Sequence, residues 1–370
     1  MITYLRNKLY RRTKFARQTW VPNNKSFCSN KFSEFNIEYR KYGNRNPNKF
    51  FYVIKRSPGA GFYSNLGFVI HHLLICEELK MIPVVDMENY QTFYNCKIKI
   101  NGSNNSWNYY FEPVSKYSLD EVYKSQNVLI CDEKTSEKKF SLKTYESNLK
   151  YLNGIQYLDK RHKKIFKKYI KIKKEIVKEA EIIYRNFKNK KVIGICYRGS
   201  DSKLNAYQPH TPTKKQMIYG TELLLKKYNF NKIYVCTEDQ NNLNFYKKKY
   251  SNKIIYNESP RTTDKRDLFD YPEKNHRYKI GRGNLIDMIV LSKTDHILFG
   301  VSAIPYMAMF FANKKIRHSI IDNGIKGGIF ISQISFFIRK NLPSFLGGFK
   351  NALIIKNKII KPKKSDFSII

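Results

Sequence analysis

The sequence predicts an α/β protein whose C-terminal half is a doubly wound parallel sheet. Three observations lead there. Short apolar strands alternate with helices from residue 192 onward. A strand, Gly-rich loop, helix and strand follow one another near the N-terminus. The 370 residues are enough for two domains with cores of their own. Hydrophobic content of 42% and aromatic content of 15% fit a globular chain rather than a disordered one.

Residues 1–33 carry eight Lys or Arg and no Asp or Glu, and 1–48 read as a basic arm. "KFFYVIKRS" (49–57) is the first strand candidate, followed by the loop "PGAGFYSN", a helix over about 64–80 and the strand "IPVVDM" (82–87), which together make a βαβ unit. "NVLICD" (127–132) has the composition of a buried strand. This first α/β domain is expected to span 49–150. From 158 to 187, Ile165, Phe166, Tyr169, Ile172, Ile176, Ala180, Ile183 and Phe187 recur at helical spacing, so one long amphipathic helix is expected as the connection, 151–190.

The second domain, 191–325, alternates regularly. Strands are expected at 192–198, 232–238, 253–258, 296–300 and 318–323, and helices at 213–228, 239–250, 282–293 and 303–313. The segment 326–370 reads as a helix and a basic tail; within it, 336–364 mixes large apolar residues with eight basic ones and no acidic ones. Such a segment either lies on an anionic membrane surface or packs on the first domain ahead of a solvated tail.

Charge is the outlier: 69 Lys and Arg against 30 Asp and Glu, a formal +39. That surface attracts nucleic acid, acidic lipid, nucleotide phosphate or charged glycan. Abundant Lys, Asn, Ile and Tyr also fit an AT-biased genome, so both a specific partner and compositional drift stay open. Nucleic-acid binding is the alternative function class, although no recognised reader motif is present. The six cysteines, at 28, 76, 96, 131, 196 and 236, include no CxxC; Cys131, Cys196 and Cys236 lie in apolar strands, as buried free thiols of a reducing compartment would. No apolar h-region follows the basic N-terminus, and the most apolar window, 297–312, is too short for a span and is broken by Gly300 and Pro305. The expected location is cytoplasmic, with the inner face of a membrane as a further possibility.

In a doubly wound sheet, ligands bind beyond the C-terminal ends of the strands. Sorting the polar residues by that rule places Arg198, Gly199, Ser200 and Asp201 after the first strand of the second domain. Thr237, Glu238 and Asp239 follow the second, Ser259, Pro260 and Arg261 the third, and Ser302 and Ala303 the fourth. Arg198 is a fixed cation with a planar fork of donors, suited to a pyrophosphate; the other reading is an ion pair with Asp201. Ser302 opens a helix, where it either caps it, holds a phosphate oxygen, or does both. Asp287 stands among apolar residues in "GNLIDMIVLSK" and needs either a buried arginine or donors on a ligand, such as a nucleobase edge. Walker A, GxGxxG, HExxH and EF-hand patterns are absent, and His71-His72 in a helix reads as packing. No metal site is expected.

These stretches resemble a known family, the fucosyltransferases related to α-1,6-fucosyltransferases, rhizobial Nod-factor fucosyltransferases and protein O-fucosyltransferases. The family carries "HxRxxD" at a strand end, "TDD" after the next strand, and a helix with "D-x-x-x-L-S-x-x-D" running into a strand that ends in serines. The matching stretches here are "CYRGSD" (196–201), "TED" (237–239) and "DMIVLSKTDHILFGVSA" (287–303), in the same order over about 190–315. "GAGFYSNLGFVIHHLLICEELKMIPVVD" (59–86) resembles the family's acceptor-side loop, helix and strand. Cys196 stands where the family has histidine, Gly199 where it often has a second arginine, and Ala303 where it often has a second serine.

The resemblance implies a GT-B-like fold, two Rossmann-like domains facing across a cleft, and an inverting, metal-independent fucosyltransferase with no cofactor beyond its donor, GDP-fucose or another nucleotide sugar. Arg198 would be catalytic, gripping the β-phosphate of the departing GDP. Gly199, Asp201, Asp239, Asp287, Ser302 and Ala303 would complete the donor side, and Gly59, Gly61, Phe62 and Asn65 the acceptor-side loop. The general base would be one of Asp201, Glu238, Asp239 or Glu112. The acceptor would be a glycan or glycolipid of a microbial surface.

Overall fold

The computed structural model describes residues 27–29, 37–57, 59–131, 160–198, 209–262, 275–321 and 359–360, with the single residues 323, 334, 338 and 342. The chain divides into two units, 1–146 with 157–173 and 147–156 with 174–370.

The first unit holds a five-stranded sheet in the order β1-β2-β5-β3-β4, made of β1 (Phe27–Ser29), β2 (Ile37–Lys41), β3 (Arg45–Ile54), β4 (Ile82–Val85) and β5 (Ser125–Cys131). β3 runs parallel to β4 and β5, while β1 and β2 add on antiparallel. Residues 37–48, expected in a basic arm, therefore belong to the sheet. Charged residues alternate there with Ile37 and Tyr39 on a strand with a partner on each side, a pattern that basic composition hides. Helix α1 (Phe62–Glu78) covers the sheet with Val69, Ile70, Leu73 and Leu74, all buried. The buried His72 of α1 bonds Tyr52 Oη of β3 at 2.9 Å, as expected of a packing histidine. Phe51, Val53, Val84, Val128 and Ile130 form a second cluster that includes Val122 of the short α2 (Leu119–Val122).

Two helices, α3 (Lys160–Tyr169) and α4 (Lys174–Arg185), replace the single helix expected over 158–187. The break at 170–173 is paid for by extended pairing: Ile172 bridges Phe111, Glu112 N donates to Lys171 O, and Lys173 N donates to Tyr110 O. The apolar residues keep helical phase across the break, so periodicity alone does not reveal it.

The second unit holds a six-stranded sheet in the order β11-β10-β9-β6-β7-β8. Its strands are β6 (Val192–Cys196), β7 (Lys232–Cys236), β8 (Ile254–Tyr256), β9 (His296–Gly300), β10 (Arg317–Ile321) and β11 (Ile359–Ile360). Every neighbouring pair is parallel except β10 with β11. Helices α5 (Lys214–Tyr228), α6 (Gln240–Tyr250), α7 (His276–Leu291) and α8 (Ala303–Phe311) alternate with the strands, as expected of a doubly wound sheet. All five residues of β6 are buried, which is why its sequence is continuously apolar. Gly194 in its centre leaves room for α7, since a Cβ there would lie 2.5 Å from Leu291 Cδ2. The basic tail falls outside the described residues apart from β11 and single positions. No described helix is long and apolar enough to cross a membrane.

Candidate functional site

The strand order fixes where a site can form. From β6 the chain steps outward through β7 and β8, then returns to the other flank of β6 as β9 and continues to β10. The order reverses between β6 and β9, and crossover connections leave a crevice beyond the C-terminal ends of strands at such a point. Arg198 lies two residues past the end of β6 and Ser302 two past the end of β9; the strands pair with Cys196 opposite Phe299. The two residues therefore flank the reversal.

Arg198 is half-buried. Ser302 precedes α8 in extended conformation, at the N-cap position, but its side chain does not cap the helix. Its Oγ is buried and makes no hydrogen bond among the described residues. Ala303 and Ile304, the first two residues of α8, have amides with no acceptor inside the helix, and Pro305 has no N–H at all. The helix dipole adds partial positive charge at that spot. A half-buried guanidinium, an unpaired hydroxyl and a positive helix end make a place for an oxyanion.

Asp287, in α7, is buried against the same region. Its carboxylate accepts the Tyr234 hydroxyl at 2.5 Å and the Cys236 thiol at 3.5 Å, so its hydrogen-bond partners on the neighbouring strand are a phenol and a thiol rather than an arginine. Burial raises its pKa from 3.8 to about 6, opposed by the Tyr234 bond and the nearby Arg261 charge. Arg261 itself donates to the backbone oxygens of Thr237, Ser259 and Asn257, which shapes the loop after β8. Cys196 and Cys236, opposite each other on β6 and β7, bring their sulfurs to 3.7 Å as free buried thiols. The second carboxylate of the "D-x-x-x-L-S-x-x-D" stretch has a different task. Asp295 lies at the opposite end of β9, where it accepts Val192 N at 2.9 Å and Lys314 Nζ at 3.1 Å.

The remaining sequence candidates divide between the units. Asp239 caps α6, its carboxylate accepting the amides of Asn241 and Asn242 at 2.8 and 3.3 Å. Glu238 is half-buried beside it. Gly199 and Asp201 fall outside the described residues. Glu112 belongs to the first unit and pairs with Lys173 at 2.8 Å. The glycine loop is also there. Gly59 has φ +73°, a left-handed conformation that favours glycine, and Asn65 Oδ1 accepts Ala60 N at 2.9 Å. Gly61 stands at the N-cap of α1, and Phe62 begins that helix at an aromatic pocket with Tyr94, Trp107, Tyr110 and Phe111. No group of three His, Cys, Asp or Glu among the described residues is placed to hold a metal ion.

One segment at the strand ends escaped the sequence reading. The loop "PHTPT" (209–213) lies over the end of β9: a Cβ on Gly300 would meet Pro212 Cδ at 2.3 Å. Thr211 Oγ1 is buried there and, like Ser302 Oγ, makes no hydrogen bond among the described residues. The two prolines bracketing a threonine were the available signal, since each restricts the backbone before it.

No protein-family model matches the chain, and neither does any curated protein. Among solved structures, the fucosyltransferase NodZ from Bradyrhizobium is similar at 15% identity, covering 75% of this chain and 98% of that one, with a TM-score of 0.45. POFUT1 in complex with GDP-fucose is similar at 11% identity, covering 74% and 98%, with a TM-score of 0.40. FUT1 of Arabidopsis thaliana in complex with GDP is similar at 9% identity, covering 76% and 72%, with a TM-score of 0.41.

Proposed function

We propose that the chain is a glycosyltransferase that moves fucose from GDP-fucose to a hydroxyl of a microbial surface glycan or glycolipid, with inversion and without a metal ion. The observation that carries this reading is the placement of Arg198 and Ser302 on the two sides of the reversal between β6 and β9, where the Ser302 hydroxyl has no hydrogen-bond partner among the described residues and α8 begins. Arg198 occupies the arginine position of the family motif that "CYRGSD" resembles.

In the proposed reaction the acceptor oxygen attacks C1 of the sugar while the bond from C1 to the β-phosphate oxygen breaks. The acceptor proton passes to a carboxylate, and the electron pair leaves with GDP. Arg198 and the α8 terminus stabilise the charge that grows on the β-phosphate, which is electrostatic catalysis aimed at the leaving group. Asp287 contacts the base or ribose from beneath. The proton acceptor is one of Asp201, Glu238, Asp239 and Glu112; of these, Asp239 also caps α6 and Glu112 also pairs with Lys173. The glycine loop with Phe62 and Asn65 serves the acceptor.

Arg198→Ala is expected to lower kcat/KM for transfer from GDP-fucose by about a hundredfold to a thousandfold, with circular dichroism unchanged. Arg198→Lys is expected to be badly impaired as well, since a point charge does not replace the fork. Full activity of Arg198→Ala would sink the assignment. A thermal-shift panel of GDP, UDP and CMP tests the donor base: stabilisation by GDP alone supports the reading, by binding linkage.

A further inference from the structure

We infer that Thr211 is a donor-binding residue whose hydroxyl, together with that of Ser302, holds phosphate oxygens of a nucleoside diphosphate at the N-terminus of α8. The inference rests on the reading that the second unit binds a nucleotide sugar, and it adds a residue that none of the family motifs contains.

The loop carrying Thr211 is fixed from several sides. Pro212 sits against Gly300 at the end of β9. Asn323, two residues past β10, donates to Thr211 O at 3.4 Å and exchanges amide bonds with Gln216 at 2.8 and 3.0 Å. Gln216 completes a capping box with Thr213 at the start of α5, accepting Thr213 N at 2.8 Å. Thr211 is thus held by backbone and neighbours, and its side chain has no part in holding it.

Thr211 is only 5% exposed, and its hydroxyl has no partner among the described residues. Ser302 is 6% exposed with the same property. Buried hydroxyls are ordinarily hydrogen-bonded, so two unpaired ones at one strand end call for a common explanation. Ser302 follows Gly300 by two residues, about 7 Å of extended chain, and Thr211 adjoins the proline that touches Gly300. Both hydroxyls therefore border the end of β9, next to the unpaired amides of Ala303 and Ile304. Arg198 lies two residues past the end of the adjacent strand, β6. An anionic oxygen accepts from hydroxyls, amides and guanidinium alike, and low local dielectric strengthens each bond. A phosphate group accepts from both hydroxyls and from the helix terminus, whereas a sugar hydroxyl would meet that terminus with no charge to offer.

The test is calorimetric titration of the full-length protein with GDP-fucose, with GDP and with inorganic pyrophosphate, using Thr211→Val, Thr211→Ser and Ser302→Ala. Thr211→Val is expected to weaken both ligands about fivefold to tenfold, and Thr211→Ser to bind as the wild type does. The unliganded Thr211→Val protein is expected to melt no lower than the wild type, because valine removes an unpaired polar group at nearly constant shape. A merely structural threonine would give the reverse: a lower melting temperature and unchanged affinity. Wild-type binding with Thr211→Val unchanged overturns the inference. So does a loss confined to GDP-fucose with GDP and pyrophosphate unaffected, which would move the hydroxyl to the sugar. If the folded wild type binds neither GDP nor pyrophosphate, the nucleotide-sugar reading itself fails, and the role of Thr211 with it.

Discussion

At the scale of single residues, Asp287 is the clearest case of sequence chemistry that the fold resolves. A lone carboxylate among apolar neighbours demanded a partner, and it found a tyrosine hydroxyl and a thiol instead of a salt bridge. Because burial raises its folded pKa from 3.8 to about 6, folding takes up a proton between those values. The associated stability is present below about pH 4 and is lost as pH rises through about 6, on the order of 3 kcal/mol. His296 works in the opposite direction. Burial lowers its pKa from 6.5 to about 4, so its contribution is present above 6.5 and fades as pH falls toward 4. Comparison with Asp287→Asn separates the two. The melting temperature of the variant minus that of the wild type is expected to rise from pH 4 to pH 6 and then level off. A difference that stays flat across the window would show that Asp287 does not titrate there.

At the scale of elements, what reads well from sequence is what is buried on both faces. The strands β6, β7 and β9 and the helices α5 and α6 sit within a few residues of their expected positions, because unbroken apolar runs and capping signals such as Thr213 with Gln216 specify them locally, whereas α7 begins six residues before its expected start at 282. The strand β2 and the break between α3 and α4 were not legible. Each depends on a distant partner, β5 in one case and Phe111 in the other, and no local pattern reports such pairing. The contact between Gly300 and Pro212 is equally invisible from sequence, yet it sets the loop over β9. Gly300→Ala would drive a Cβ into a rigid ring, 2.3 Å from Cδ and 2.5 Å from Cγ, and displace the loop. Urea denaturation is expected to show a loss of about 1–3 kcal/mol, with weaker GDP binding by titration. Unchanged stability and affinity would mean that the loop yields without cost.

At the scale of the whole molecule, a formal charge of +39 is a load on the fold. Self-repulsion of that size is screened over about 10 Å at 0.1 M salt, so the melting temperature is expected to rise as sodium chloride increases from about 20 to about 200 mM. A gel shift at about 0.15 M salt addresses the competing function class: tight, steeply salt-dependent binding of duplex DNA would favour nucleic acid over a sugar nucleotide. The site itself was half legible. Arg198 and Ser302 follow from the rule that ligands sit beyond strand ends, whereas Thr211 does not, because only the folded loop shows its hydroxyl to be buried with no partner among the described residues. The reversal between β6 and β9 has a consequence for folding. The residues that flank it are more than a hundred positions apart in the chain, and β7, β8 and three helices come between them. No fragment that stops short of β9 contains both halves of the proposed anion grip. A bound nucleotide would act as a clasp across the long loop that joins those halves, stabilising the second unit against global opening more than against the fraying of any one segment.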